Sequence, residues 1–374
     1  MHGHHAGHGV DELRTVVTMR GDNFAGGVVE KHSGNGAGER GHLHERRSGL
    51  AVWRHILTIY RKTRRRQPWH PAAMSWVTRS LIRYGYFPLM FLGVGGAGVA
   101  LIISGPEGLP ASIRAAGILG LMALALLLSF GAERLLPYEP DWNSSRGDFG
   151  RDVAHFLVNE SMSLGPLLVI PIFATVATPP AASASPVSQL WPGEWALPVQ
   201  VLFTLAVFDL GQNLFHWASH RWEPLWRLHA VHHSVERMYG LNGIMKHPIY
   251  QIASSVVSLT PLVVLGMPEV FSLVIVYCSF VQLLLQHSNV DYCTGPVRRI
   301  FSTAEVHRFH HLRGTAGDVN FALFFAFWDH LLGNAYDAET RLESRDIGVD
   351  YEGYPQSWAG QMLAPLRSFK LPTG

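Results

Sequence analysis

The chain has 374 residues, 48% of them hydrophobic and only 16% charged, with a formal net charge of +2. So small a charged share is unusual for soluble domains and favours a membrane protein. The near balance of charge argues against nucleic acid as a partner, and two cysteines, Cys278 and Cys293, give no basis for a disulfide framework. Cys278, inside an apolar run, reads as a small buried hydrophobe.

Residues 1–50 are rich in glycine and charge, with His2, His4, His5 and His8 at the start. That composition predicts a disordered tail, of a kind that binds metal only loosely. Residues 51–80 combine Arg61, Lys62, Arg64, Arg65 and Arg66 with Trp53, Tyr60, Trp69 and Trp76. They predict a basic interfacial segment with its aromatic rings at headgroup depth, where His55 and His70 also belong. Tyr86–Ser104 and Ile113–Phe130 are apolar and close to spanning length, an N-terminal transmembrane pair within 81–145. A third span is expected over Val153–Ala177, with His155 a hydrogen-bonded core residue, and a fourth over Leu197–Phe215.

Ile249–Gln286 is too long for one span and short for two. Gly266-Met267-Pro268 divides it, so a helical hairpin of short or tilted spans is expected. Residues 319–332 predict a further apolar helix, and 336–374 a polar, soluble tail. The fold class that follows is all-α, a polytopic membrane helical bundle of about four spans plus a helical hairpin, with a cytosolic histidine-rich cap. Orientation comes from the basic residues. They follow spans two and four and the hairpin and precede span one, whereas loops 105–112 and 178–198 contain no Lys or Arg. By the positive-inside rule every histidine cluster then faces the cytoplasm, at a bacterial inner membrane or the endoplasmic reticulum.

Of the 21 histidines, nine lie in four clusters: His216 and His220; His229, His232 and His233; His287; and His307, His310 and His311. Residues four apart share a helix face. His216 with His220, His229 with His233, and His307 with His311 are so placed. Neutral imidazole is a good ligand for iron, zinc and copper. One zinc takes about four ligands, so nine nitrogens favour a pair of metals. No Glu-x-x-His occurs in the clustered region. The acids Asp209, Glu236, Asp291, Glu305, Asp318 and Asp329 suit a different task, accepting the far N–H of a ligating ring. Asp209, two turns before His216 on the same face, is the best placed. His247 and His330 lie near the clusters as ligands, supporting partners or bystanders.

These residues sit in a recognisable frame. It runs through Phe215-His216-Trp217-Ala218-Ser219-His220-Arg221, then Leu225-Trp226-Arg227-Leu228-His229-Ala230-Val231-His232-His233-Ser234. Gln286-His287-Ser288-Asn289, His307-Arg308-Phe309-His310-His311, Asn320 and Trp328-Asp329-His330-Leu331-Leu332-Gly333 complete it. From about Asp148 to Gly333 the chain resembles the fatty acid hydroxylase superfamily, or sterol desaturase family, of integral membrane di-iron oxygenases. Two places depart from the usual pattern: Ser302-Thr303-Ala304, where Thr-Pro is frequent, and Asn320-Phe321-Ala322, where Asn-Tyr-Gly is. The resemblance implies a catalytic domain over 146–335 with two Fe2+ held by the nine histidines and O2 as co-substrate. It implies hydroxylation or desaturation of a C–H bond, and Asn320 holding a metal-bound water. Apolar spans imply a lipid substrate arriving from the bilayer. No flavin, haem or nucleotide fingerprint occurs, so electrons are expected from a separate ferredoxin or cytochrome-type donor. A membrane zinc hydrolase would want His-Glu-x-x-His, which is absent. A metal transporter would place its histidines in mid-span. A non-catalytic family member should have lost ligands, and all the expected positions are filled.

Overall fold

The computed structural model describes residues 74–104, 108–161 and 190–369. Helix α1, Trp76–Ile103, starts where the Ser75 hydroxyl accepts from the Thr78 N–H. Pro88 lacks an N–H to donate, and the turns after it, Leu89–Gly95, are widened. Helix α2 is Ala111–Leu135. Residues 149–161 form α3. There follow α4 (Leu197–Ser219), α5 (Glu223–His233), α6 (Pro248–Val264), α7 (Val270–His287), α8 (Ala304–His310), α9 (Phe327–Leu332) and α10 (Trp358–Leu363). The described residues contain no strand.

Four of these helices, α1, α2, α4 and α7, are long and apolar enough to cross a membrane. α7 is the central one, with 72% of its apolar window buried, whereas α2 buries only 11% and leaves Leu119 and Leu127 exposed. An apolar surface of that kind suits lipid rather than water. The expected hairpin is α6 and α7, with α6 the shorter arm. The turn between them passes through Gly266 at φ 83°, a left-handed conformation that glycine adopts without steric cost. Tyr86, Phe208, Leu259, Val274 and Phe280 belong to the apolar core that joins α1, α4, α6 and α7.

One sequence expectation needs revision. The helix expected over 319–332 exists only as Phe327–Leu332. Asn320 takes a left-handed conformation at φ 55°. The N–H groups of residues 321–325 go to the carboxylates of Asp329 and Asp209 instead of to carbonyls one turn back. The stretch expected as a polar tail is folded over the cap as far as residue 369. Leu342 and Ile347 are buried, and Leu312 pairs with Ile347 in an antiparallel bridge. The third span is helical over 149–161, and its remainder lies outside the described residues. So do the histidine-rich tail and the basic block. His155 is a core residue as expected, buried between Gln361 Oε1 at 2.7 Å and the Lys246 carbonyl at 3.2 Å.

Candidate metal centre

Four helix ends deliver the histidines. His216 sits in the last turn of α4 and His220 caps it; His229, His232 and His233 lie in the last two turns of α5. His287 is the final residue of α7, and His307, His310 and His311 come from α8 and the residue that caps it. α8 starts at Thr303 without the proline common at the next position in the resembling family. The Ala304 N–H, which proline would lack, donates to the Tyr292 hydroxyl at 2.6 Å.

All nine rings meet, in two groups. His216, His220, His229, His233 and His310 form one, and His232, His287, His307 and His311 the other. Within each group every potential ligand atom lies within 4.8 Å of the others. In the first, His229 Nε2 is 2.8 Å from His216 Nε2 and 3.0 Å from His233 Nε2. In the second, His287 Nε2 is 3.3 Å from His232, 3.1 Å from His307 and 3.3 Å from His311 Nε2.

The far nitrogens decide what these contacts are. His232 Nδ1 donates to the Met245 carbonyl at 3.0 Å, and His287 Nδ1 to the Leu283 carbonyl at 3.1 Å. A carbonyl only accepts, so each Nδ1 carries the hydrogen and each neutral ring turns an Nε2 lone pair inward. Two lone pairs facing each other at 3.3 Å repel unless a cation lies between them. His216 Nδ1 donates to the Phe321 carbonyl (2.8 Å), His310 Nδ1 to the Val319 carbonyl (2.8 Å) and His220 Nδ1 to Asp318 (3.0 Å). Such partners orient a metal-binding ring and raise its basicity. His310 Nε2 is buried with no hydrogen-bond partner among the described residues. An inward, unpartnered donor is what a bound metal satisfies, so the residues fit a metal pair.

Protonation agrees. Burial first, and then the charges of neighbouring imidazoles, hold His229, His232, His233, His307, His310 and His311 well below the ordinary histidine range. His220 is lowered less, because Asp318 opposes burial. Neutral rings are the form that binds metal.

The other expected residues have different tasks. The Asp209 carboxylate touches no imidazole; it accepts the N–H groups of Leu323, Phe324 and Phe325 at 2.8, 3.0 and 2.7 Å. Asp329 accepts from Phe321, Ala322 and Asn213, and burial pushes it up to about 6. The two carboxylates thus hold the loop whose Phe321 carbonyl orients His216. Asn320 spends its amide on the Val306 and Tyr336 carbonyls and the Tyr336 N–H, in place of the expected water. His247 starts α6 by accepting from the Ile249 N–H and bonds the Met362 carbonyl, and His330 is exposed; neither joins the groups. Asp318, one of several candidate acids, is the carboxylate that bonds a clustered ring. Sequence reasoning missed the carbonyl partners, which carry no side-chain signature. It also missed Tyr250, stacked on His229 at 4.7 Å, and Trp226, 5.0 Å from His220.

The fatty acid hydroxylase family model matches residues 201–334, a range that holds all nine histidines. Ornithine lipid hydroxylase OlsE of Rhizobium tropici is 35% identical over 236 residues, 61% of this chain and 69% of that protein. The chain belongs to the fatty acid hydroxylase family. Alkylglycerol monooxygenase of Danio rerio, a more distant family relative, is 33% identical over 126 residues, 33% of this chain and 28% of that protein. No solved structure matches. With its apolar spans, this member of the fatty acid hydroxylase family is a multi-pass membrane protein and an oxidoreductase.

Proposed function

We propose that the chain is a membrane di-iron monooxygenase that hydroxylates a C–H bond of a lipid, with O2 and two electrons from outside. The observation that carries this reading is the pair of converged histidine groups, in which the backed Nδ1 atoms of His216, His220, His232, His287 and His310 leave Nε2 lone pairs facing inward. His216, His220, His229, His233 and His310 hold one iron, and His232, His287, His307 and His311 the other. When bound, the iron pair supplies reductive activation of O2. The balance is R–H + O2 + 2e− + 2H+ giving R–OH + H2O.

The chain supplies the rest. Carbonyls and Asp318 fix the tautomers of five rings, His216, His220, His232, His287 and His310, and the carboxylates of Asp209 and Asp329 fix the loop beside them. Buried apolar rings such as Phe321, against His216 and His220, keep water from the site. Electrons come from a separate ferredoxin or cytochrome-type donor. The distribution of Lys and Arg supports a cytoplasmic active site, at a bacterial inner membrane or the endoplasmic reticulum. Both named relatives are a hydroxylase or a monooxygenase, which supports hydroxylation over desaturation. The first of them supports an acylated ornithine lipid as substrate. Iron-loaded protein given such lipid, reductant and 18O2 should yield a product heavier by one labelled oxygen atom. Unlabelled product, or turnover that survives iron removal, would overturn the reading.

A further inference from the structure

A cavity lies among α3, α4, α6 and α7, with Glu160 and Phe208 in its lining and Ser255, Ile275 and Phe280 around it. A second cavity lies against His216, His229, His232 and Tyr250. Gln212, Lys246 and Leu323 line both. Lys246 therefore lines both the first cavity and the one against the histidines.

Glu160 and Lys246 are the only charged residues in the described lining of the first cavity. They attract across it, yet neither makes an ion-pair contact with the other or with another described residue. Burial pushes the Lys246 ammonium down to about 8, and the Glu160 carboxylate opposes that shift. A desolvated charge without a close partner is costly, and two of opposite sign facing one cavity are a template for a ligand that carries both. We propose that Lys246 and Glu160 form a headgroup site for a zwitterionic lipid, with its carboxylate on Lys246 and its ammonium on Glu160. This rests on the lipid-hydroxylase reading and adds the residues that select the substrate. A site built for charged partners rejects an analogue that lacks them, because its own charges are left unpaired.

The test uses the full-length, iron-loaded chain in nanodiscs and three probes. The first is ornithine acylated on its α-nitrogen, with free carboxylate and free ammonium. The second is its carboxyl methyl ester, and the third is the same lipid acetylated on the side-chain amine. Binding is read by native mass spectrometry and product by liquid chromatography with mass detection. Wild type should bind each capped lipid about tenfold or more weakly than the free one. Lys246→Met should lose discrimination against the ester and keep it against the acetylated lipid; Glu160→Gln should do the reverse. Equal binding of all three lipids by wild type would overturn the site whether or not a variant folds, as would both variants losing both discriminations alike. Discrimination without oxygenated product would retain the site and remove the hydroxylase reading. Oxygenated product without discrimination would do the opposite.

Discussion

The five-histidine and four-histidine groups converge equally well but are held by different parts of the chain. In the first, three rings lean on one loop, 318–321: His220 on Asp318, His310 on the Val319 carbonyl and His216 on the Phe321 carbonyl. That loop continues into residues whose backbone is pinned by two buried carboxylates, Asp209 from α4 and Asp329 from α9. In the second, His287 leans on its own helix at Leu283, and His232 on Met245, at the end of a short turn packed against α7. One group depends on a loop stapled to two helices, the other on the central span itself. Neighbouring sites in one fold can therefore fail separately.

The clustered histidines give the sharpest separation. His287→Ala removes the ring around which His232, His307 and His311 gather, and His310→Ala removes an inward donor from the other group. Each should empty its own group, by metal analysis, and reduce turnover by more than the roughly 10–100-fold typical of lost supporting partners. Loss of both metals in either variant would show that the groups stand or fall together.

Asp209→Ala comes next. It strands the N–H groups of Leu323, Phe324 and Phe325, at about 1–3 kcal/mol for each buried donor left unpaired. Denaturant unfolding should register the loss, metal should leave the five-histidine group first, and Asp209→Asn should recover part of both. A matched pair of smaller changes follows. A Cβ at Gly243 would lie 2.4 Å from the Leu283 carbonyl and 2.7 Å from His287 Nδ1; one at Gly317 would lie 2.4 Å from the His310 carbonyl. Alanine at either should cost roughly 1–3 kcal/mol by overpacking. Chelator-release kinetics should place the first defect in the four-histidine group and the second in the five. The smallest effect is expected from Asp318→Asn, since Asp318 is shared with Arg221 and is partly exposed. About tenfold weaker metal retention in the five-histidine group alone is the expected result.

Sequence carried the nine clustered histidines because their chemistry and helical spacing are local. His216 and His220 announce a shared face whatever packs against it, and length and hydropathy announce α2 or α7 in the same way. The supporting partners were less legible. Asp209 and His216 do share a helix, but the carboxylate is drawn to a loop more than 100 residues away, and nothing local to α4 shows that loop arriving. The same contacts unwound the expected helix at 319–326, whose apolar pattern fits a helix as well as a buried loop. His247, which the sequence left open as ligand, supporting partner or bystander, caps α6 from its place before Pro248.

On the proposed reading, two groups of histidines bind two separate metals. Iron content per chain, measured on anaerobically loaded wild type and His287→Ala, tests it most directly. About two irons are expected in the wild type and about one in the variant, held by the five-histidine group. A wild type that binds one iron or none, or a variant that binds as many as the wild type, would contradict it.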